Sequence, residues 1–261
     1  MENDCKKKKT ALLTGATGGL GYCILKELLK EPVDEIWAFG RNSARLEKLK
    51  EEFGEKITVF CADLTDKDFA DFLNGKLMES NPDIVYLINN AGAGQFKKTA
   101  DFTAEEISDT IDLNCKAAPI ITNCCLPYMN EGGRIINICS AAAFQPVPYI
   151  NFYAACKVFF RSYSRALNAE LKPRKISVTA VCPGWIDTDF IIEELNGIKV
   201  KYPALVKPER VAKKLMKDAK RGKDMSVCLL YMKMQHFLVK MLPQKLVMKI
   251  WISGAKKYLG D

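Results

Sequence analysis

The stretch that most restricts this chain is Thr14-Gly15-Ala16-Thr17-Gly18-Gly19-Leu20-Gly21. It closes an apolar run that reads as a strand over Thr10–Gly15 and leads into the helical pattern Tyr22–Lys30. A strand that turns at once into a helix needs residues without Cβ. They allow the tight turn and let the backbone come close to a bound group. The helix then presents unpaired N–H groups and the positive end of its dipole, which suits the phosphates of a dinucleotide. Gly15, Thr17, Gly18, Gly19, Leu20 and Gly21 are therefore candidate cofactor contacts. Taken alone, the same string also fits a strand–helix connection that merely accommodates glycine.

The remaining pattern repeats the unit. Glu35–Gly40, Ile57–Ala62, Asp83–Asn89, Gly133–Ser140 and Ser177–Cys182 are further short apolar runs, and their near-continuous hydrophobicity predicts parallel strands covered on both faces. Helical stretches separate them. One starts at Thr103, capped reciprocally with Glu106, and is predicted to run through Asn114 towards Pro127; another spans Phe152–Leu171 and stops before Pro173. This alternation predicts an α/β fold, a single-domain Rossmann-type doubly wound parallel β-sheet with helices on both faces, covering residues 1–261.

Other site classes find little support. The ten cysteines include no CxxC pair, and His236 is the only histidine, so neither a zinc site nor Cys/His or Ser/His/Asp catalysis is indicated and no metal is expected. Cys23, Cys61, Cys139 and Cys182 lie in apolar runs as free thiols do, and with no secretory signal this points to a reducing cytoplasm.

At the end of the second strand the chain reads Ala38-Phe39-Gly40-Arg41-Asn42. An acid there would bind ribose hydroxyls; Arg41 instead offers a planar cation suited to a 2′-phosphate, which favours NADP(H) over NAD(H), with Asn42 beside it. Asp63, followed by Leu64 after the third strand, is placed to meet the adenine, or else to cap a helix. Ser140 ends the fifth strand, and Tyr153 follows thirteen residues later with Lys157 four residues beyond it. On a helix these last two share a face. An adjacent ammonium is expected to lower the tyrosine pKa from its ordinary ~10 and to make Tyr153 a proton donor and acceptor, with Ser140 holding a carbonyl oxygen. A YxxxK string by itself is equally compatible with a packed tyrosine beside a snorkelling lysine.

These elements occur in an order that resembles the short-chain dehydrogenase/reductase family from Thr10 to about Thr188. They are TGxxxGxG at Thr14–Gly21, Asp63, Asn89-Asn90-Ala91-Gly92, Asn114, Ser140, the Tyr153/Lys157 pair and Pro183-Gly184-Trp185-Ile186-Asp187-Thr188. The resemblance implies that Tyr153 is the general acid/base and Ser140 the substrate-oxygen donor. Lys157 would hold the nicotinamide ribose, and Asn114 would anchor a proton-relay water. It further implies cofactor contacts from Asn90, Ala91, Gly92, Pro183, Gly184, Ile186 and Thr188, hydride transfer between nicotinamide and a substrate carbon, and a homodimer or homotetramer paired through the helices bearing Asn114 and Tyr153. Cys139 and Cys156 stand where the family often has serine.

Residues 189–261 then correspond to a variable substrate lid and C-terminal segment. Phe190, Ile191, Ile192, Leu195 and Ile198, with Trp185, predict an apolar wall, and hence a lipophilic ketone or alcohol, hydroxysteroid-type first; the alternatives are a 3-oxoacyl thioester reductase and a non-catalytic NADP(H)-binding regulator. Charge is concentrated here: residues 199–261 hold 16 basic and 4 acidic side chains, leaving the first 198 with a net −4. Within Ser226–Ile252, apolar side chains and Leu/Met runs alternate with Lys233, Lys240, Lys245 and Lys249. The favoured reading is an apolar face over the core or a subunit interface with solvated lysines. The other is a basic amphipathic hairpin on an anionic membrane surface. No nucleic-acid recognition motif accompanies the charge.

Overall fold

The computed structural model describes residues 7–258 apart from 196 and 203; the ends of the predicted 1–261 span and the Leu195 side chain lie outside the described residues. The six apolar runs form β1 (Lys9–Thr14), β2 (Glu35–Gly40), β3 (Ile57–Cys61), β4 (Asp83–Asn89), β5 (Arg134–Ile138) and β6 (Ser177–Val181). All pair in parallel, and a seventh strand, β9 (Met225–Ser226), completes the order β3-β2-β1-β4-β5-β6-β9. Helices α1 (Gly19–Leu28), α2 (Ser43–Phe53) and α7 (Pro208–Lys220) cover one face around Leu25, Leu46 and Leu215. Helices α3 (Phe69–Ser80), α5 (Ala117–Cys125) and α6 (Asn151–Glu170) cover the other around Leu73, Ile121 and Leu167. Side chains such as Leu12, Leu13, Ile36 and Phe39 are almost wholly buried between these layers, each stabilising the fold by ~1.5–3 kcal/mol relative to exposure. This explains why the strands lack polar alternation.

The chain winds outward from β1 to β3, then crosses to β4 on the opposite side of β1. The connections at the C-terminal ends of β1 and β4 therefore diverge and leave a crevice, where an open α/β sheet binds ligands.

One expectation changes and two features are new. The helix predicted from Thr103 to Pro127 keeps its capping box, but it is α4 (Ala104–Ile111), a π-helical turn over Asp112–Lys116, and then α5. The extra residue in that turn rotates Asn114 inward, a distortion that often marks working sites. β9 carried no sequence signal: it is two residues long and exists because Met225 and Ser226 align with Ala180 and Val181. After β6, the wall includes a short antiparallel hairpin of β7 (Glu194–Leu195) and β8 (Ile198–Lys199), and the basic segment folds as α8 (Leu230–Met241) and α9 (Gln244–Ala255), separated at Leu242–Pro243.

Candidate functional site

The glycine turn adopts the geometry its composition demands. Gly15 has φ of 65°, and a Cβ on Gly21 would lie 2.0 Å from the Gly15 carbonyl oxygen, so α1 begins closer to the strand than any other residue permits. Gly18 is the N-cap of α1 and, having no side chain, leaves the first N–H groups of the helix without a side-chain cap. The turn is braced from β4: Asn90 Nδ2 donates to the carbonyls of Thr14 (3.1 Å) and Gly15 (3.0 Å), and the N–H groups of Asn90 and Ala91 donate to Thr14 Oγ1. Asn89, one residue earlier, is buried in the sheet and donates to Asn137 Oδ1 at 2.8 Å.

Beyond β2, Arg41 is exposed, with its guanidinium 3.7 Å from the Asp63 carboxylate. Its neighbour Asn42 is the N-cap of α2, accepting from the Arg45 N–H, and Asp63 accepts from the N–H and hydroxyl of Thr65. Burial raises the Asp63 pKa, but the Thr65 hydrogen bonds and the Arg41 cation outweigh it and hold the carboxyl below its ordinary value. Leu64 packs on the core beneath. Asn42 is thus engaged as a helix cap and Asp63 by Thr65 and Arg41, while the Arg41 guanidinium, paired with Asp63, stays exposed at this end of the crevice.

At the other end Asn114, Ser140, Tyr153 and Lys157 converge. The Asn114 amide donates to the carbonyls of Ala93 (2.8 Å) and Thr110 (2.9 Å), which fixes its orientation and leaves a buried Oδ1 with no hydrogen-bond partner in the protein. A Cβ on Gly92 would lie 2.9 Å from this oxygen and 3.1 Å from Lys157 Nζ, so glycine keeps open the gap into which both groups point. Lys157 is buried and donates to the Ile138 carbonyl at 3.0 Å; burial lowers its pKa. Ser140 accepts from the Ala142 N–H at 3.1 Å, which leaves its own proton free, and it lies within hydrogen-bond reach of the Tyr153 phenol. Desolvation pushes that phenol up to about 12, with the Ser140 hydrogen bond acting in the opposite direction. The expected lowering by Lys157 does not emerge from the protein's own groups: burial weighs more than the ammonium, whose Nζ stands 5.4 Å from the ring centroid.

Cysteines flank this group in contacting pairs, Cys139 with Cys182 and Cys115 with Cys156. Burial raises the Cys139 thiol, but the Cys182 contact and the Lys157 charge leave it lowered overall.

Two cavities meet at Tyr153. One of about 350 Å³ is bordered by Ser140 and by the expected cofactor contacts Leu20, Asn90, Gly92, Lys157, Pro183, Gly184, Ile186 and Thr188; Arg41, Asn42, Asp63, Leu64, Ala91 and the rest of the glycine turn lie outside its lining. The other, about 390 Å³, is walled by Phe96, Trp185, Phe190, Ile191, Ile192, Tyr202 and Trp251. The glycine turn and the wall also touch, since a Cβ on Gly19 would lie 2.7 Å from Thr188 Cγ2. Ile198, expected in the wall, sits exposed on β8 instead.

Several residues in or beside the linings carried no motif. Gly94 packs against the Tyr153 ring, where a Cβ would come within 2.8 Å. Tyr149, in the loop before α6, holds a φ of 70° that a bulky residue rarely adopts. Trp251 Nε1 donates to the Pro148 carbonyl at 2.9 Å, fixing α9 over both cavities. Only the aromatic and methionine content of the last quarter hinted at this.

Comparison with known proteins agrees with this fold. Residues 9–197 match the family model described as short chain dehydrogenase. The chain is 35% identical over 190 residues to an NADP-dependent 3-hydroxy acid dehydrogenase of Salmonella typhi, covering 71% of this chain and 76% of that one. Among solved structures, a short-chain dehydrogenase from Sphingobium yanoikuyae in complex with NADPH is similar at TM-score 0.76 and 27% identity, over 92% of this chain and 95% of that one. A bulky-bulky ketone specific alcohol dehydrogenase from Comamonas testosteroni is similar at TM-score 0.73 and 26% identity, over 92% and 93% of the two chains.

Proposed function

Because the chain belongs to the short-chain dehydrogenase/reductase family, we propose that it is an NADP(H)-dependent oxidoreductase interconverting a ketone and a secondary alcohol on a bulky lipophilic molecule, a hydroxysteroid-type compound foremost. The observation that carries this reading is the convergence of Asn114, Ser140, Tyr153 and Lys157 where an apolar cavity meets the crevice. The NADP-dependent relative and the NADPH-bound neighbour support the cofactor, and the ketone-specific neighbour supports the substrate size.

The residues present fit a dinucleotide. The Gly15–Gly21 turn and the uncapped α1 would hold its pyrophosphate, Arg41 its 2′-phosphate, and Lys157 its nicotinamide ribose. The open gap over Gly92, bordered by the unpartnered Asn114 Oδ1, is shaped for polar occupants. The cofactor supplies or accepts the hydride. The protein handles the proton. In reduction, Tyr153 donates its phenol proton to the substrate oxygen as charge develops there, and the Ser140 hydroxyl donates a second hydrogen bond to the same oxygen. The proton on Tyr153 is replaced along the polar strip formed by Lys157 Nζ and Asn114 Oδ1.

A second reading, reduction of a 3-oxoacyl thioester, draws on Lys201, the one charged side chain along the larger cavity's described wall, which can receive an acidic head group. A panel of ketosteroids, acyl thioesters and simple ketones, followed by NADPH oxidation, separates the readings. Ketosteroids are expected to turn over best, and Tyr153→Phe is expected to cut turnover on any accepted substrate by ~10²–10⁴-fold. Wild-type turnover in that variant would end the mechanism, and thioester preference would select the second reading. A protein that binds NADPH but reduces nothing would be a regulator.

A further inference from the structure

The inner faces of α8 and α9 close the site, yet their outer faces are also apolar. On α8 the buried residue is Met232, and directly opposite it Leu230, Met234, Phe237 and Met241 stand 73%, 59%, 64% and 70% exposed. Their spacing of three to four residues makes one continuous stripe along the helix. On α9, Val247 and Ala255 are buried while Leu246 and Ile250 face outward, 45% and 63% exposed. Isolated surface leucines need no explanation, but two adjoining helices with apolar outer stripes do. Lys233 and Lys240 flank the stripe of α8, and Lys245 and Lys249 that of α9, all four exposed. From Met225 to Tyr258 the sequence contains no aspartate or glutamate.

We infer that the outer face of α8 and α9 docks on an anionic lipid surface, lying in the interface with its apolar stripes among the acyl chains and its lysines among the head groups. Charge decides between occupants. A second copy pairing through the same face in a two-fold arrangement sets this acid-free, lysine-flanked surface against itself, so like charges meet with nothing to neutralise them. An anionic bilayer offers what the face lacks, an apolar interior bordered by negative charge. The surface also runs into the site: Ile250 is exposed and lines the larger cavity, and the exposed Tyr231 lines the smaller. A lipophilic molecule dissolved in the bilayer therefore meets the cavities through the docked face. No helix among the described residues is long and apolar enough to cross a membrane, so the contact is peripheral.

The test is co-sedimentation of the full chain with phosphatidylcholine vesicles prepared with and without phosphatidylglycerol. Binding is expected only with phosphatidylglycerol and is expected to weaken as salt rises. Lys233→Glu with Lys240→Glu, and separately Phe237→Asp with Met241→Asp, are each expected to weaken it ~10-fold or more. Melting temperature verifies that each variant is folded, so the readout does not depend on which substrate the enzyme accepts. Failure to sediment, or equal sedimentation with and without the anionic lipid, overturns the inference. So does a dimer in solution that the Phe237/Met241 variant dissociates, because a second copy would then cover the face.

Discussion

Tyr153 is desolvated with Gly94 against one side of its ring and Phe190 5.8 Å away on another, and this sets the sign of its pH behaviour. The protonated phenol is the neutral form, so burial favours it and raises the pKa to about 12. Ketone reduction uses that protonated form, which persists below the folded pKa and is lost only as pH climbs through it. The Tyr153-dependent part of kcat/KM for reduction at saturating NADPH is therefore expected to stay level between about pH 7 and 9. A fall with a midpoint near pH 8 would show that the bound state reverses the effect of burial. Alcohol oxidation needs the phenolate and is expected to accelerate over the same range. Arg41 carries a separate expectation. As an exposed cation it contributes little to stability, but a charge-assisted contact with a 2′-phosphate contributes ~1.5–3 kcal/mol, or ten-fold and more in affinity. Arg41→Asp is expected to raise the KM for NADPH by that factor and to leave NADH unaffected. Equal losses for both cofactors would mean that Arg41 does not meet the 2′-phosphate.

At the scale of elements, legibility in the sequence followed locality. The six longer strands and the Thr103 cap were readable because each is specified by its own residues: buried apolar runs, or a Thr and Glu three apart that bond each other. The π-helical turn was not, since a helical period passes through it and the extra residue has no chemical mark besides Asn114. β9 was hidden for a different reason. Its position depends on Asp218, a buried acid of α7 that accepts from Ser226 Oγ at 2.7 Å and pairs with Lys214 and, at 2.9 Å, Lys223. Burial raises the Asp218 pKa, but these partners outweigh it and hold it at about 2. A depressed carboxylate stabilises the fold above its unfolded pKa near 3.9, and that contribution disappears as pH falls towards 2. Asp218→Asn is expected to cost about 2 kcal/mol at pH 7, measured by urea unfolding, with the gap to wild type closing between about pH 4 and 2. A gap independent of pH would assign the loss to packing rather than charge.

Over the whole molecule, the proposed function assigns cofactor and substrate selection to opposite ends of the chain. The motif-bearing residues as far as Thr188 surround the crevice and the proton-handling group, whereas the outer wall of the larger cavity comes from the lid and from α9. Only tertiary packing brings α9 there, which is why Trp251 was invisible as a site residue. Its side chain borders both cavities and its indole N–H is tied to the loop before α6 through Pro148. If the larger cavity receives the bulky part of the substrate, removing this wall should affect large substrates and spare small ones. For Trp251→Ala, kcat/KM is expected to fall ~10–100-fold on a bulky ketone, as loss of a wall contact of ~1.4–2.7 kcal/mol requires, with about two-fold change or less on a small one. Trp251→Phe keeps a ring but loses the N–H donor, so it is expected to restore most of the bulky-substrate activity if apolar contact dominates, and little if the Pro148 tether does. An equal fall on small and bulky ketones would show that Trp251 supports Tyr153 rather than the substrate, and would move the specificity wall to Phe190 and Trp185.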